Sequence, residues 1–125
     1  MPTITMELRD SDVYALLGPG QPFPLEELRQ DFKAGCAPIL GYPEKAFIVN
    51  WDLSRPGSGT DPDSRALVIT VRASNKQDHR DVGVAWVDAM EKVVKSLDCF
   101  DDLMSLGGAT IFLPVGEGFF RVIKG

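Results

Sequence analysis

The chain begins Met1-Pro2, and its second residue has a distinctive chemistry if Met1 is removed. Pro2 then carries a secondary α-amine, and a free α-amine titrates near ~8. Burial in an apolar pocket, or a nearby cation, disfavours the charged form of the amine and lowers its pKa. An amine whose pKa lies close to neutrality can take a proton from one atom of a substrate and return it at another. Small second residues such as proline generally favour removal of the initiator methionine.

Three cationic side chains are candidates for holding an anionic group: Arg9, Arg72 and Lys76. An arginine fork matches the two oxygens of a carboxylate, whereas a lysine supplies a point charge. Cations at the ends of strands and loops are most often solvated. The residue types therefore identify three candidates but do not indicate which of them binds the anion.

The remaining polar side chains do not suggest a metal or cofactor site. His79 is the only histidine, and its acidic and basic neighbours predict a solvated helix start. Asp98, Asp101 and Asp102 are interpreted as a solvated turn, because no histidine or further carboxylate at ligand spacing accompanies them. No glycine-rich phosphate loop follows a predicted strand. We therefore predict neither a metal nor an organic cofactor.

Composition narrows the class of protein. The 125 residues fit one domain, and the formal net charge is −5 with no block of Lys or Arg, which disfavours nucleic-acid binding. No apolar run approaches the ~20 residues that span a bilayer, and the first residues lack the layout of a signal peptide. A cytoplasmic protein is expected. Cys36 and Cys99 form no ligand or redox motif and are predicted to be free, buried thiols.

The elements that would position these residues follow from hydrophobic periodicity. Strands are predicted over residues 3–9, 46–53, 66–73, 109–115 and 119–123. A first helix is expected to begin near Pro24 and to stop at Gly41. A second helix over 82–97 has apolar residues at i, i+3, i+4 and i+7, and residues 74–78 are expected to cap it. Trp51 and Trp86 fall on the apolar phase of their elements and are predicted core residues.

The order strand, helix, strand therefore occurs twice within a single domain, 1–125, with pattern-related halves at about 1–56 and 63–125. Two folds share that order. One is an α+β fold, with two consecutive β-α-β units in one sheet and helices on one face, which usually trimerises. The other is a ferredoxin-like sandwich.

The first of these arrangements is that of the tautomerase superfamily, and the chain resembles it at specific residues. A Met-Pro start leads directly into an alternating strand, and Leu40-Gly41-Tyr42-Pro43 is similar to the family's junction between its helix and the next strand. The length and layout are most similar to 5-carboxymethyl-2-hydroxymuconate isomerase-like and macrophage migration inhibitory factor-like members.

The resemblance implies a homotrimeric isomerase that moves a proton on a small keto–enol carboxylate, with Pro2 as the general base. Many members bind the carboxylate with an arginine in a Gly-Arg-Ser/Thr step before the second helix, where this chain has Ser74-Asn75-Lys76. Lys76, Arg72 or Arg9 would then bind the substrate. Phe119 and Phe120 would line the apolar part of the pocket or a subunit contact.

The competing hypothesis is a non-catalytic, ferredoxin-like binding or oligomerisation module. Such a module would assemble through its sheet and contact a partner through one of the two Pro/Gly-rich loops, 10–24 or 54–64. The strand order of the sheet distinguishes the ferredoxin-like sandwich from two consecutive β-α-β units.

Overall fold

The computed structural model describes residues 2–8, 25–52, 67–105 and 107–123. Arg9 and the predicted loops 10–24 and 54–64 lie outside them. The described residues form a 3₁₀ turn at Glu44–Ala46 and nine longer elements: β1 Thr3–Leu8, α1 Leu25–Leu40, β2 Ile48–Asp52, β3 Leu67–Arg72, α2 Gln77–Asp81, α3 Gly83–Lys95, α4 Phe100–Ser105, β4 Ala109–Leu113 and β5 Phe119–Ile123. The five predicted strands and the bounds of the first helix are confirmed to within two residues.

The strands form one mixed sheet in the order β2-β1-β3-β4-β5. β1 and β2 are parallel neighbours, as are β3 and β4, so no strand separates the two strands of either β-α-β unit. The units join through antiparallel β1 and β3, with Thr3 opposite Arg72 and Leu8 opposite Leu67. The predicted arrangement of two consecutive units is thereby confirmed. The ferredoxin-like alternative is wrong because that fold splits its β-α-β units.

One face of the sheet carries the core. Because side chains alternate along a strand, Ile4, Ile69 and Ile111 all point to this face, and each is fully buried. Helices α1 and α3 pack against each other over it and contribute Phe32 and Trp86, which are also fully buried. Burial of each such side chain contributes roughly 1.5–3 kcal/mol.

The other face of the sheet has no helix over it among the residues that the structure describes. Its β1 positions are polar, whereas β4 and β5 present Phe112 and Phe120, whose rings meet edge to face with centroids 6.4 Å apart. The Phe120 side chain is 65% exposed, and Ile48 and Val122 are also exposed on this face. We call this surface, on which Phe112, Phe120 and Val122 form the apolar part, the open face.

The helical segment after β3 is interrupted. Helix α2 ends at Asp81, and α3 begins two residues later, after Val82 with φ −106° and ψ 10°. The expected cap is absent: Lys76 precedes α2 without a side-chain cap bond, and the Asn75 amide oxygen instead accepts the Gly116 N–H at 2.7 Å. Because of this break, one side chain of α2 points into the protein interior, while the apolar face of α3 still packs on the sheet.

Strand β5 is held against α3 by close packing and by charge. A Cβ at Gly83 would overlap the Phe119 ring, so glycine permits the approach. Arg121 lies 2.9 Å from Asp88 and 3.2 Å from Glu91 on the same helix. These contacts place Phe119 on the helix side of the sheet.

The end of α1 sets the direction of the chain into β2. Gly41 has φ +69°, and the Tyr42 N–H donates to the Ala37 carbonyl at 3.1 Å, six residues from end to end. This is the Schellman arrangement that commonly ends a helix at glycine. Because this bond fixes the Tyr42 backbone, the Gly41-Tyr42-Pro43 junction also fixes the position of the Tyr42 Cβ atom.

We expect Gly41→Ala to lower the free energy of unfolding by about 1–2 kcal/mol, because a side chain is strained in the left-handed region. Gly35→Ala is the matched control. Gly35 lies inside α1, and an added Cβ would make only an ordinary contact 3.4 Å from Val93, so alanine should raise stability by roughly 0.5–1 kcal/mol. Urea unfolding measures both changes, and equal effects would contradict this account of the junction.

Candidate active site

A cavity of about 390 Å³ lies where three segments of the chain meet at one edge of the sheet, and it is lined by Pro2, Tyr42, Pro43, Ala46, Ser74, Lys76 and His79. The topology explains this meeting. The starts of parallel β1 and β2 share an edge with the end of antiparallel β3. Residues just before β1 and β2 and just after β3 therefore come together.

Pro2 is buried in the wall of this cavity. Its carbonyl oxygen accepts the Ile48 N–H at 3.0 Å, which extends the β1–β2 pairing to the first residue of the described chain. The position of Pro2 is therefore set by the sheet itself.

His79 does not lie at a solvated helix start as predicted; the expectation was wrong, because its side chain is only 3% exposed. Its Nδ1 lies 2.7 Å from the Ser74 carbonyl oxygen, and its Nε2 lies 2.8 Å from the Tyr42 hydroxyl. The Trp86 ring meets the imidazole edge to face, with centroids 5.7 Å apart. Both polar atoms of the ring are paired, which compensates its burial.

Tyr42 connects His79 to the neighbouring carboxylate. Its hydroxyl lies 3.3 Å from Asp78 Oδ2 as well as 2.8 Å from the histidine. Desolvation raises the pKa of Tyr42, and the charge of Asp78 and its hydrogen bond raise that pKa further. Tyr42 is therefore a protonated phenol at neutral pH, able both to donate one hydrogen bond and to accept others.

The predicted site residues occupy different places. Pro2 and Lys76 line the cavity. Arg72 lies on the open face, in a separate groove of about 330 Å³ beside the polar side chains of β1. Phe119 packs on Gly83 from the helix side, and Phe120 is exposed on the open face. Neither phenylalanine lines the cavity.

Sequence reasoning missed the three other polar residues of the cavity, Tyr42, Ser74 and His79. The signal for Tyr42 was present, because it directly follows the helix-stop Gly41 that precedes β2. The signal for His79 was weak, because a single histidine among charged residues is usually exposed. Only the pairing with Tyr42, 37 positions earlier in the chain, makes its burial possible.

A larger groove, of about 700 Å³, runs between α1 and α3 and has aliphatic walls that include Ala34, Pro38, Ala89 and Val93. It contains none of the predicted site residues. Its lining also includes the polar residues Asp31, Asp88, Lys92 and Ser96. The predicted residues Pro2 and Lys76 lie in the smaller cavity instead.

Both cysteines are free, as predicted, but the predicted burial is wrong for Cys99, which is partly exposed, and holds for Cys36. Burial raises the pKa of Cys36 to about 12. Burial also raises the pKa of Cys99. A nucleophilic cysteine needs the reverse shift.

The shift at Cys36 predicts an alkaline loss of stability. Its folded pKa of about 12 exceeds the usual 9.0, so its contribution is present below pH 9 and is lost as the pH rises toward 12. Between pH 9 and 10, we expect wild-type protein to lose about 1 kcal/mol more unfolding free energy than Cys36→Ala, because the unfolded thiol is already half ionised at pH 9. Urea unfolding at both pH values measures this difference, and parallel losses would contradict it.

Two structural findings concern metal binding and membrane spans within the described part of the chain. No grouping of three His, Cys, Asp or Glu side chains there could hold a metal ion. None of the helices in residues 25–52, 67–105 and 107–123 has the length and apolar character needed to cross a bilayer.

Comparison with known proteins rests on structure alone. No protein-family model and no curated protein matches the chain. A solved structure of the wild-type asymmetric trimer of F6, a fused 4-OT (4-oxalocrotonate tautomerase), matches with a TM-score of 0.55 and 14% identity, over 94% of this chain and 89% of that one. The native structure of a protein called Ps01740 matches with a TM-score of 0.48 and 13% identity, over 91% and 93% of the two chains. On the F6 match and the observed strand order, this chain has a tautomerase-like fold.

Proposed function

We propose that the protein is a tautomerase that moves a proton on a small keto–enol carboxylate, with the amine of Pro2 as the general base. The observation that carries the proposal is the shared cavity: Pro2 is buried in one wall, and Lys76, Tyr42 and His79 line the same space. A proton acceptor, an anion-binding cation and hydrogen-bonding groups are the parts that such a reaction requires.

Pro2 can act as a base only when Met1 has been removed, because an amide nitrogen is not basic. Burial and the positive charge of Lys76 both disfavour a second cation in the cavity, so each lowers the pKa of the free amine. An amine whose pKa is lowered toward neutral pH in this way removes a proton from the substrate carbon and, in the reverse direction, returns it.

Lys76 is the favoured carboxylate-binding residue among the three candidates, because it lines the cavity with Pro2. It is exposed and can reach an incoming anion. Arg72 extends from the open face of the sheet, and Arg9 lies outside the described residues. A cavity of about 390 Å³ is at the small end of ligand sites, which favours a substrate with few heavy atoms.

The experiment begins with intact mass, which establishes that the chain starts at Pro2, followed by ketonisation of phenylenolpyruvate or 2-hydroxymuconate. Lys76→Met should raise KM about tenfold or more, because one charge-assisted contact contributes roughly 1.5–3 kcal/mol. Lys95→Met removes an exposed lysine of α3 and is the matched control. Absence of turnover above buffer by a chain that starts at Pro2 would overturn the proposal.

We further propose that the protein assembles as a homotrimer through the open face. The apolar part of that face is contiguous across β4 and β5, where the Phe112 and Phe120 rings meet edge to face. Exposed apolar clusters of this kind commonly mark interaction surfaces. Phe120→Glu should give a monomer in light scattering. Val84→Glu, which changes an apolar residue 58% exposed on α3, should remain a trimer. A monomeric wild-type protein would overturn the assembly proposal.

A further inference from the structure

A chain of hydrogen bonds, centred on the buried His79, runs from the Ser74 backbone to the Tyr42 hydroxyl at the cavity. His79 Nδ1 lies 2.7 Å from the Ser74 carbonyl oxygen. A carbonyl oxygen can only accept, so Nδ1 carries a hydrogen. In the neutral imidazole the other nitrogen, Nε2, is then bare and accepts the hydrogen of Tyr42 at 2.8 Å. The backbone thus selects the tautomer of the ring.

This tautomer determines what Tyr42 offers to a ligand. Because its hydrogen is directed to Nε2, the hydroxyl oxygen presents lone pairs to other partners. The Tyr42 hydroxyl can instead donate to Asp78 Oδ2 at 3.3 Å, and it does so when Nε2 is itself protonated and donates to the hydroxyl oxygen. In the neutral state, Tyr42 is therefore an acceptor for a hydroxyl group bound in the cavity, with a proton acceptor directly behind it.

We propose that Tyr42 and His79 form a proton relay that serves the oxygen of the keto–enol substrate, while Pro2 serves its carbon. The inference rests on the proposed function, because it divides that proton transfer between two groups. Tyr42 contacts the substrate and is a catalytic residue. His79 acts through Tyr42 as both proton store and positioning residue.

In the ketonisation direction, the enol O–H bond breaks and a C–H bond forms. Tyr42 takes the enol proton as it passes its own proton to His79 Nε2, which becomes an imidazolium. The protonated amine of Pro2 gives its proton to carbon. In the reverse direction, Pro2 removes the carbon proton, and the His79 imidazolium supplies a proton to the carbonyl oxygen through Tyr42. Solvent exchange returns a proton from His79 to Pro2, and no oxidant or reductant takes part.

The imidazolium formed in this step has a carboxylate close by. When Nε2 donates to Tyr42, the Tyr42 hydrogen can turn to Asp78, whose negative charge compensates the new positive charge. The edge-to-face contact with Trp86, at 5.7 Å between ring centroids, holds the ring in one orientation. The relay therefore has two hydrogen-bonded states with the same heavy-atom positions.

Nitrogen NMR tests the first part of the relay without any substrate. His79 is the only histidine in the chain, so the imidazole signals need no assignment by mutation. The expected spectrum of the neutral ring shows Nδ1 protonated and Nε2 bare, and Tyr42→Phe shifts the Nε2 signal. A neutral ring protonated at Nε2 would overturn the relay.

Kinetics test the second part on protein that begins at Pro2. Tyr42→Phe and His79→Gln should each lower kcat about 10²-fold, and the double variant should lose little more, because the two residues act as one unit. The glutamine amide can accept the Tyr42 hydrogen bond but cannot take up a proton, so it separates relay from positioning. Thermal unfolding of each variant verifies that it is folded.

The outcomes distinguish the two proposals. If the wild-type protein turns over substrate while Tyr42→Phe stays within twofold of it, the relay is overturned and the tautomerase proposal stands. Full activity in His79→Gln likewise reduces His79 to a structural role and overturns the relay. If protein that begins at Pro2 shows no turnover, the tautomerase proposal fails and the relay fails with it.

Discussion

Protein that begins at Pro2 is expected to ketonise phenylenolpyruvate about 10²- to 10⁴-fold faster than the same protein with residues before Pro2. The range is the usual contribution of a positioned general acid–base group. An added residue converts the secondary amine into an amide, which takes up no proton at neutral pH. The added residue keeps the Pro2 side chain, and it still allows the Ile48 N–H to donate to the Pro2 carbonyl oxygen.

A removable N-terminal extension provides the comparison within one preparation. The extended protein is assayed, a protease that leaves no residue before Pro2 removes the extension, and the assay is repeated with intact mass as the check. Equal rates before and after cleavage would remove Pro2 from the mechanism.

Trp86→Ala is expected to lower the free energy of unfolding by about 3–5 kcal/mol, as truncation of a buried aromatic side chain commonly does. The Trp86 side chain is fully buried among α1, α3 and the sheet, and it packs against the His79 ring. Total stability is typically about 5–15 kcal/mol, so this one change removes a large part of it. Urea unfolding followed by circular dichroism measures the loss.

Two variants complete that test. Val84→Ala, two residues earlier on the same helix but exposed, should stay within about 0.5 kcal/mol of wild type. Trp86→Phe keeps an aromatic ring beside His79 and should cost less than alanine. A loss below about 1 kcal/mol for Trp86→Ala would show that the helix repacks, and it would contradict the tight core described above.

Most of the fold follows from local patterns in the sequence. Period-two alternation at Ile4, Met6 and Leu8 sets one face of β1, and Gly41 marks the end of α1 because its backbone is left-handed. The strand order, by contrast, cannot be derived from periodicity, which is the same for split and consecutive β-α-β units. It depends on which strands pair after the chain collapses.

The candidate site was less accessible to sequence reasoning, for a physical reason. Lys76 and Pro2 are recognisable by residue type, whereas the burial of His79 depends on partners brought by other segments. The break between α2 and α3 had no clear signal either, because the apolar spacing continues through Val82 and hides the change in direction. Close approach of Phe119 to Gly83 is likewise a property of the assembled sheet.

β1 and β3 are the first strands of the two β-α-β units, so the start of β1 at Thr3 corresponds to the start of β3 at Leu67. Only the first of these starts can be preceded by a chain terminus; the second continues from residue 66 through an ordinary peptide bond. The two halves therefore share an architecture but not a reactive nitrogen. A reagent that caps the terminal amine should titrate with one equivalent per polypeptide, and three per particle of the proposed homotrimer, although the scaffold is internally duplicated.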